Sequence, residues 1–239
     1  TIDTTLPFWG DPDLLFLAVE SVRAQTDPRW RLIVLDDAYP SDRVAEYFRR
    51  IDDERIVYRR HDENIGLVAN FRACVEAAAS RHVVVFGGDD LLLPGYVAAV
   101  HRALERHPDA DIVQPGVIVV NEHGHPSLPL SDRVKQKLLT PRAHGTDTVL
   151  CGQQLATSLV RGNWLYWPSL VFRTESIRAH RFREDLPIIL DLAILLDIAF
   201  EGGSLVVIPD TVFAYRRHTA SASQTSIVDG RRFADERRF

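Results

Sequence analysis

The chain has 239 residues, 46% of them hydrophobic, and a formal net charge of −5, enough to bury one full core of α/β size with a modest appendage. That balance excludes nucleic acid as the main partner, because phosphate backbones are held by clustered Lys and Arg. Cys74 and Cys151 match no metal spacing and form no disulfide framework, which points to a reducing compartment.

In chain order, Thr1 to Leu6 reads as a short strand, and "PFWGDPDLL" as a turn in which Asp11 and Pro12 supply the cap and first residue of a helix. Leu14, Leu15, Ala18, Val19 and Val22 then recur at helical spacing. "RLIVLDD" predicts a second strand closed by Asp36 and Asp37, "SDRVAEYFRRI" a capped helix, and "RIVYRR" a peripheral third strand. "NIGLVANFRACVEAAAS" is an amphipathic helix entered through a glycine turn. It leads into "VVVFGGDDLLLP", where Val83 to Phe86 is an unbroken apolar strand of the kind buried on both faces of a parallel sheet.

Leu91 to Arg106 predicts a helix and "ADIVQPGVIVV" a strand interrupted by Pro115. Residues 121 to 145 turn polar and rich in Pro, His and Gly, the pattern of a long loop or lid. "NWLYWPSLVF" is aromatic and strand-like, Leu186 to Phe200 is an apolar helix carrying Asp191, and "SLVVIPDTVFAYRRH" supplies two short strands before a polar, Arg-rich tail. Strand and helix in alternation predict an α/β fold, a Rossmann-like, mostly parallel sheet flanked by helices. Residues 1–120 hold this regular alternation, with a nucleotide-type crevice expected at the strand ends, and residues 121–239 read as a smaller, irregular part of the same domain. No apolar run is long enough to cross a bilayer and the N-terminus has no signal-peptide pattern, so the expected location is the cytoplasm, with room for peripheral contact at the inner face of the membrane.

Three strands end at Leu6, Leu35 and Phe86 in loops rich in Asp, Gly or Pro, and in open α/β sheets the ligand crevice lies outside such ends. Gly87 and Gly88 let a ligand approach the backbone, and Asp89 and Asp90 suit a cation. The competing reading makes Asp90 the cap of a helix beginning near Pro94.

Four segments together resemble the family 2 glycosyltransferases, over nearly the whole chain: "TIDTTLPFWGDPDLLFLAVESVRAQTDPRWRLIVLDDAYPSD", "NIGLVANFRACVEAA", "FGGDDLLLP" and "AYRRHTASAS". The resemblance implies a GT-A fold, an inverting transfer and a nucleotide-sugar donor lying across the strand ends, with a UDP-sugar favoured over a GDP- or dTDP-sugar. It also implies a glycan or lipid-linked acceptor, in bacterial cell-surface polysaccharide, glycolipid or glycoconjugate synthesis. A divalent metal, Mn²⁺ or Mg²⁺, would neutralise the diphosphate. Asp89 matches the metal ligand of the family's Asp-x-Asp motif, Asp90 a second ligand or an orienting residue, and His218 a further ligand suited to Mn²⁺. The first acid of that motif falls on Gly87, a departure from the pattern.

Carried over likewise, Asp37 recognises the base and Pro7, Phe8 and Trp9 form the wall beneath it. Asn64, Gly66 and Gly88 lie along the donor, and Arg72 reaches the diphosphate. Asp191 is the base that deprotonates the acceptor hydroxyl, with Asp185 and Asp197 as weaker alternatives; an acid set among Ile188, Ile189, Leu190 and Leu192 is unusual in its own right. Trp164 and Trp167 are acceptor-side aromatics, with core packing as the alternative for each. His123 and His125 read as a turn. Two other readings stand beside the transferase: a sugar-phosphate nucleotidyltransferase, which would carry a basic Gly-rich loop where "PFWGDPDLL" stands, and a degenerate transferase fold kept for binding.

Overall fold

The computed structural model describes residues 1–141, 145–180, 182, 183, 186 and 189–217. The elements run β1 (Ile2–Phe8), α1 (Pro12–Arg23), β2 (Trp30–Asp36), α2 (Arg43–Arg49), β3 (Ile56–Arg60), α3 (Leu67–Ala77), β4 (His82–Val85), β5 (Leu91–Leu92) and α4 (Tyr96–Arg106). They continue with β6 (Ile112–Val120), α5 (Leu130–Val134), a π-helical turn (Lys135–Leu139), β7 (Thr148–Cys151), α6 (Gly152–Arg161) and a 3-10 turn (Trp167–Ser169). The last are β8 (Val171–Arg173), α7 (Thr174–Ala179), α8 (Leu190–Phe200) and β9 (Ser204–Arg216).

Among the described residues nine strands join one sheet in the order β3-β2-β1-β4-β8-β6-β9-β5, with β7 paired to β9. β3, β2, β1 and β4 are parallel neighbours, as are β6 and β9. β8 runs antiparallel between β4 and β6, so the later part of the chain completes the sheet begun by the first.

The alternation along β2 explains the layers. Trp30, Leu32 and Val34 face one apolar core with Leu15 of α1, Phe48 of α2 and Tyr96 of α4, whereas Ile33 and Leu35 face a second with Cys74 of α3, Leu155 of α6 and Ile194 of α8. Both faces of the strand are covered, which is why it reads as a continuous hydrophobic run. Local signals set the helix starts. Asp11 accepts the N–H of Asp13 and Pro12 occupies the first turn of α1, and Gly66, at φ 83°, takes a conformation that side chains disfavour immediately before α3.

Several boundaries differ from the sequence expectation. α4 begins at Tyr96, because Leu91 and Leu92 pair with Ala214 and Phe213 as a strand before Pro94 and Gly95 open the helix. α8 begins at Leu190 rather than Leu186. The two strands expected after Ser204 are one strand of 13 residues. Its register against β6 shifts between Gln114 and Val117, where Pro115 in β6 and Pro209 in β9 each lack a ladder donor. The expected loop from 121 to 145 contains a tight turn at Asn121–His125 and then α5 with its π-helical extension. No helix among the described residues is long and apolar enough to cross a membrane.

Candidate functional site at the strand ends

Parallel pairing places the C-terminal ends of β1, β2 and β4 side by side: Phe8 lies opposite Asp36, and Thr5 lies between Ile33 and Val85. Phe86 continues the ladder by donating its N–H to the Thr5 carbonyl at 2.8 Å, after which the chain turns through Gly87 to Asp90. Gly88 packs over Leu6 and Phe8, with an added Cβ at 3.5 and 3.8 Å from them. The turn thus rests directly on the end of β1.

The two carboxylates of this turn converge. A Cβ built on Gly87 would stand 2.6 Å from Oδ2 of Asp90 and 3.0 Å from Oδ1 of Asp89. Any side chain at 87 would occupy the space these oxygens face, so the missing first acid is matched to the geometry of the other two. Asp90 is 1% exposed, and burial together with the charge of Asp89 pushes its carboxyl well above the usual range. Its Oδ1 accepts the backbone N–H of Arg216 at 2.8 Å. It does not cap α4, whose N-cap is Gly95.

Two oxygens aimed at one point, in a site that disfavours their joint ionisation, fit a hard divalent cation that takes its remaining ligands from phosphate and water. No group of three His, Cys, Asp or Glu side chains able to hold a metal occurs among the described residues. His218 and Asp185 lie outside them.

Arg216 is a site residue that sequence reasoning passed over, although it stands inside the "AYRRHTASAS" segment. Buried at the end of β9, it donates Nε to the Asp89 carbonyl at 2.7 Å and Nη1 to the carbonyls of Glu122 at 2.8 Å and Asn121 at 3.3 Å. It therefore ties the Asp89–Asp90 turn to the turn that follows β6. There Asn121 Oδ1 accepts the N–H groups of His123 and His125 at 3.0 Å, so the two histidines form the expected turn.

At the end of β2, Asp36 accepts the Tyr39 N–H at 2.7 Å and the Tyr58 hydroxyl. Asp37, expected to accept a base N–H, is 2% exposed and spends one oxygen on the Ile65 N–H at 2.7 Å and the other on the Gly66 N–H at 3.0 Å. Asn64 Nδ2 donates to the Asp37 carbonyl at 3.2 Å. Asp37 thus shapes the loop that carries Asn64 and Gly66 to the end of β2. Of the expected aromatic wall, Pro7 and Phe8 belong to β1 and Phe8 is buried, while Trp9 is 56% exposed, its ring centroid 5.8 Å from that of Tyr39 in an edge-on arrangement. Arg72, expected at the diphosphate, lines a cavity between α3 and α7 of about 460 Å³ with Glu76, Arg178 and His180.

Asp191 lies in the first turn of α8, two residues past the N-cap position at Ile189, and accepts Nδ2 of Asn163 at 3.3 Å. Three residues after Asn163, the ring centroid of Tyr166 stands 5.1 Å from that of Tyr215, the residue before Arg216. Asp197 falls two turns further along α8. Trp164 and Trp167 are corrected to core residues. Trp164 is 1% exposed with its Nε1 bonded to Ser158, and Trp167 packs among Phe71, Phe172 and Phe182; the large apolar area of each ring favours its burial.

The profile of the family described as Glycosyl transferase family 2 matches residues 6–169. The chain is 28% identical over 137 residues to the putative glycosyltransferase EpsE of Bacillus subtilis, covering 54% of this chain and 49% of that one. Its fold superposes with a TM-score of 0.67 and 14% identity on S. aureus TarS 1-349 in complex with UDP-GlcNAc, over 94% of this chain and 60% of that one. It superposes with a TM-score of 0.69 and 17% identity on the mannosyltransferase PcManGT from Pyrobaculum calidifontis in complex with GDP-Man and Mn²⁺, over 100% of this chain and 64% of that one. This chain therefore spans about half the length of EpsE and less than two thirds of either solved chain, and the likeness to those two carries the fold.

Proposed function

This chain belongs to glycosyl transferase family 2, and on that premise we propose that it moves a sugar from a nucleotide-diphosphate sugar to an acceptor hydroxyl with inversion at the anomeric carbon. The observation that carries the reading is the convergence of Asp89 Oδ1 and Asp90 Oδ2 above Gly87, at the edge where three parallel strands end.

The donor lies across residues 1–120, its nucleotide between Pro7–Trp9 at the end of β1 and the Asn64–Gly66 loop that Asp37 holds in place. Asp89 and Asp90 would hold Mn²⁺ or Mg²⁺, which when bound supplies positive charge to the diphosphate. Arg216 keeps the aspartate turn in position. A UDP- or GDP-sugar is the favoured donor class, in keeping with the ligands of the two solved relatives.

Residues after 120 present the acceptor, and Asp191 removes its hydroxyl proton while Asn163 orients the carboxylate. The acceptor oxygen forms the new bond to the anomeric carbon, the bond to the diphosphate oxygen breaks, and the nucleoside diphosphate leaves with that electron pair. Two free cysteines, Cys74 buried and Cys151 exposed, suit a reducing compartment.

Release of nucleoside diphosphate from a panel of UDP- and GDP-sugars, with Mn²⁺ and then with a chelator, tests the reading. Release that the chelator and Asp191→Asn each abolish supports it; release indifferent to both contradicts it.

A further inference from the structure

The inward side of the segment from Leu130 to Leu139 is fully engaged. Asp132 is buried and forms two hydrogen bonds with Arg217, at 3.0 and 3.1 Å. Lys135 Nζ donates to the Leu165 carbonyl at 2.6 Å, and Gln136 Nε2 to the Val117 carbonyl at 3.1 Å. These contacts set the rotation of the segment and turn Leu130, Val134 and Leu138, at every fourth position, toward solvent with exposures of 73, 41 and 76%.

Arg133 and Lys137 are exposed one position before Val134 and Leu138. The last turn of α6 adds Val160, 70% exposed, and exposed Arg161. The two pieces adjoin: Leu139 would meet a Cβ on Gly162 at 2.6 Å, and Leu138, Leu139 and Arg161 line one cavity of about 560 Å³.

The charge of this face runs against the rest of the molecule. The chain carries 33 acidic residues, yet residues 128–139 and 152–161 contain a single acid, the buried and paired Asp132. Both lysines of the chain fall within the first of those stretches. Soluble surfaces intersperse both signs and keep large aliphatic side chains apart. An apolar stripe whose exposed charges, among the described residues of these two stretches, are all cationic is instead the pattern that enters the headgroup region of an anionic bilayer. A second copy of the chain is disfavoured, because a two-fold contact through this face sets Arg133, Lys137 and Arg161 near their own symmetry mates.

We propose that the face made by α5, the π-helical turn and the end of α6 docks on an anionic lipid surface, with Leu130, Val134, Leu138 and Val160 entering it and Arg133, Lys137 and Arg161 meeting lipid phosphates. Asn163, which holds Asp191, follows Arg161 by two residues, so docking brings the acceptor side of the site to the membrane plane. The acceptor that fits is an amphiphile with an apolar anchor in the bilayer and its hydroxyl above it. That last step rests on the transferase reading; the docking itself does not.

The test is co-sedimentation of the full chain with vesicles of phosphatidylcholine alone and of phosphatidylcholine mixed with phosphatidylglycerol, at low and high salt. Binding to the mixed vesicles alone is expected, weakened by salt and lowered about tenfold in Leu130→Ser/Leu138→Ser and again in Lys137→Gln/Arg161→Gln, with far-UV spectra unchanged. Equal recovery with and without anionic lipid overturns the proposal, as does binding that both variants retain. A dimer that dissociates in the Leu variant while vesicles recover no protein assigns the face to a second copy instead. None of these variants alters Asp89, Asp90 or Asp191, so a chain that binds vesicles and releases no nucleoside diphosphate would sink the transferase reading and leave the docking surface standing.

Discussion

Arg216 meets Asp90 through its backbone, whose N–H donates to the Asp90 carboxylate at 2.8 Å, while its guanidinium holds the carbonyl of the preceding residue, Asp89, at 2.7 Å. One residue at the end of β9 thereby fixes both the position of a buried carboxylate and the path of the turn that carries it.

Arg216→Met should deprive the partly buried carbonyls of Asp89 and Glu122 of their donor, at a cost of about 1 kcal/mol. Thermal unfolding should shift down by about 2–4 °C for each kcal/mol lost, and metal-dependent nucleotide binding should weaken. Unchanged binding alongside a lowered melting temperature would confine Arg216 to stability.

Gly87 makes a sharper prediction, because restoring the acid expected there ought to harm the site. An added Cβ stands 2.6 Å from Asp90 Oδ2, so Gly87→Ala should destabilise by about 1–3 kcal/mol. Gly87→Asp should add a third negative charge to the same crowding. Calorimetry on both variants should find Mn²⁺-dependent nucleotide binding reduced; tighter binding in Gly87→Asp would contradict the steric account.

Much of this was legible in the chain. The continuous apolar run at Val83–Phe86, the Asp11–Pro12 cap and the glycine entry to α3 each report a local physical demand, and each stands where expected. What escaped depended on distant partners. Leu91 and Leu92 have the composition of a helix start, and only β9 makes them a strand. The hold of Asp37 on the Ile65 and Gly66 N–H groups likewise links residues 28 and 29 positions apart, which no local pattern reports. Trp164 and Trp167 look alike as acceptor platforms or core plugs until their surroundings are known.

Asp191→Asn should lower turnover by roughly 10²–10⁴ with donor affinity nearly unchanged, since the carboxylate acts on the acceptor proton. Asn163→Ala should have a smaller effect, because it removes the amide that donates to Asp191 at 3.3 Å and leaves the carboxylate in place. Full turnover in Asp191→Asn would remove this residue from the mechanism.

Acid should unfold the protein partly through His82. Burial, then the charges of Arg81 and Arg173, lower its imidazole from 6.5 to about 4, and its Nε2 is buried without a partner. A histidine with a depressed folded pKa contributes stability that is complete above 6.5 and is lost as pH falls from there toward about 4. The loss is roughly 2 kcal/mol after allowance for partial exposure. Melting temperature against pH should decline across this window, and His82→Leu should flatten the decline; an equally steep curve in the variant would place the acid sensitivity elsewhere.

The measurement closest to the central claim is calorimetric titration of UDP and of GDP into the purified chain, each with and without Mn²⁺. The account predicts that one of them binds, that Mn²⁺ tightens it, and that Asp89→Ala removes the metal's contribution. Binding of neither nucleotide with the metal present, or binding that neither Mn²⁺ nor Asp89→Ala alters, would contradict the assignment of the Asp89–Asp90 turn as the cation-assisted diphosphate site.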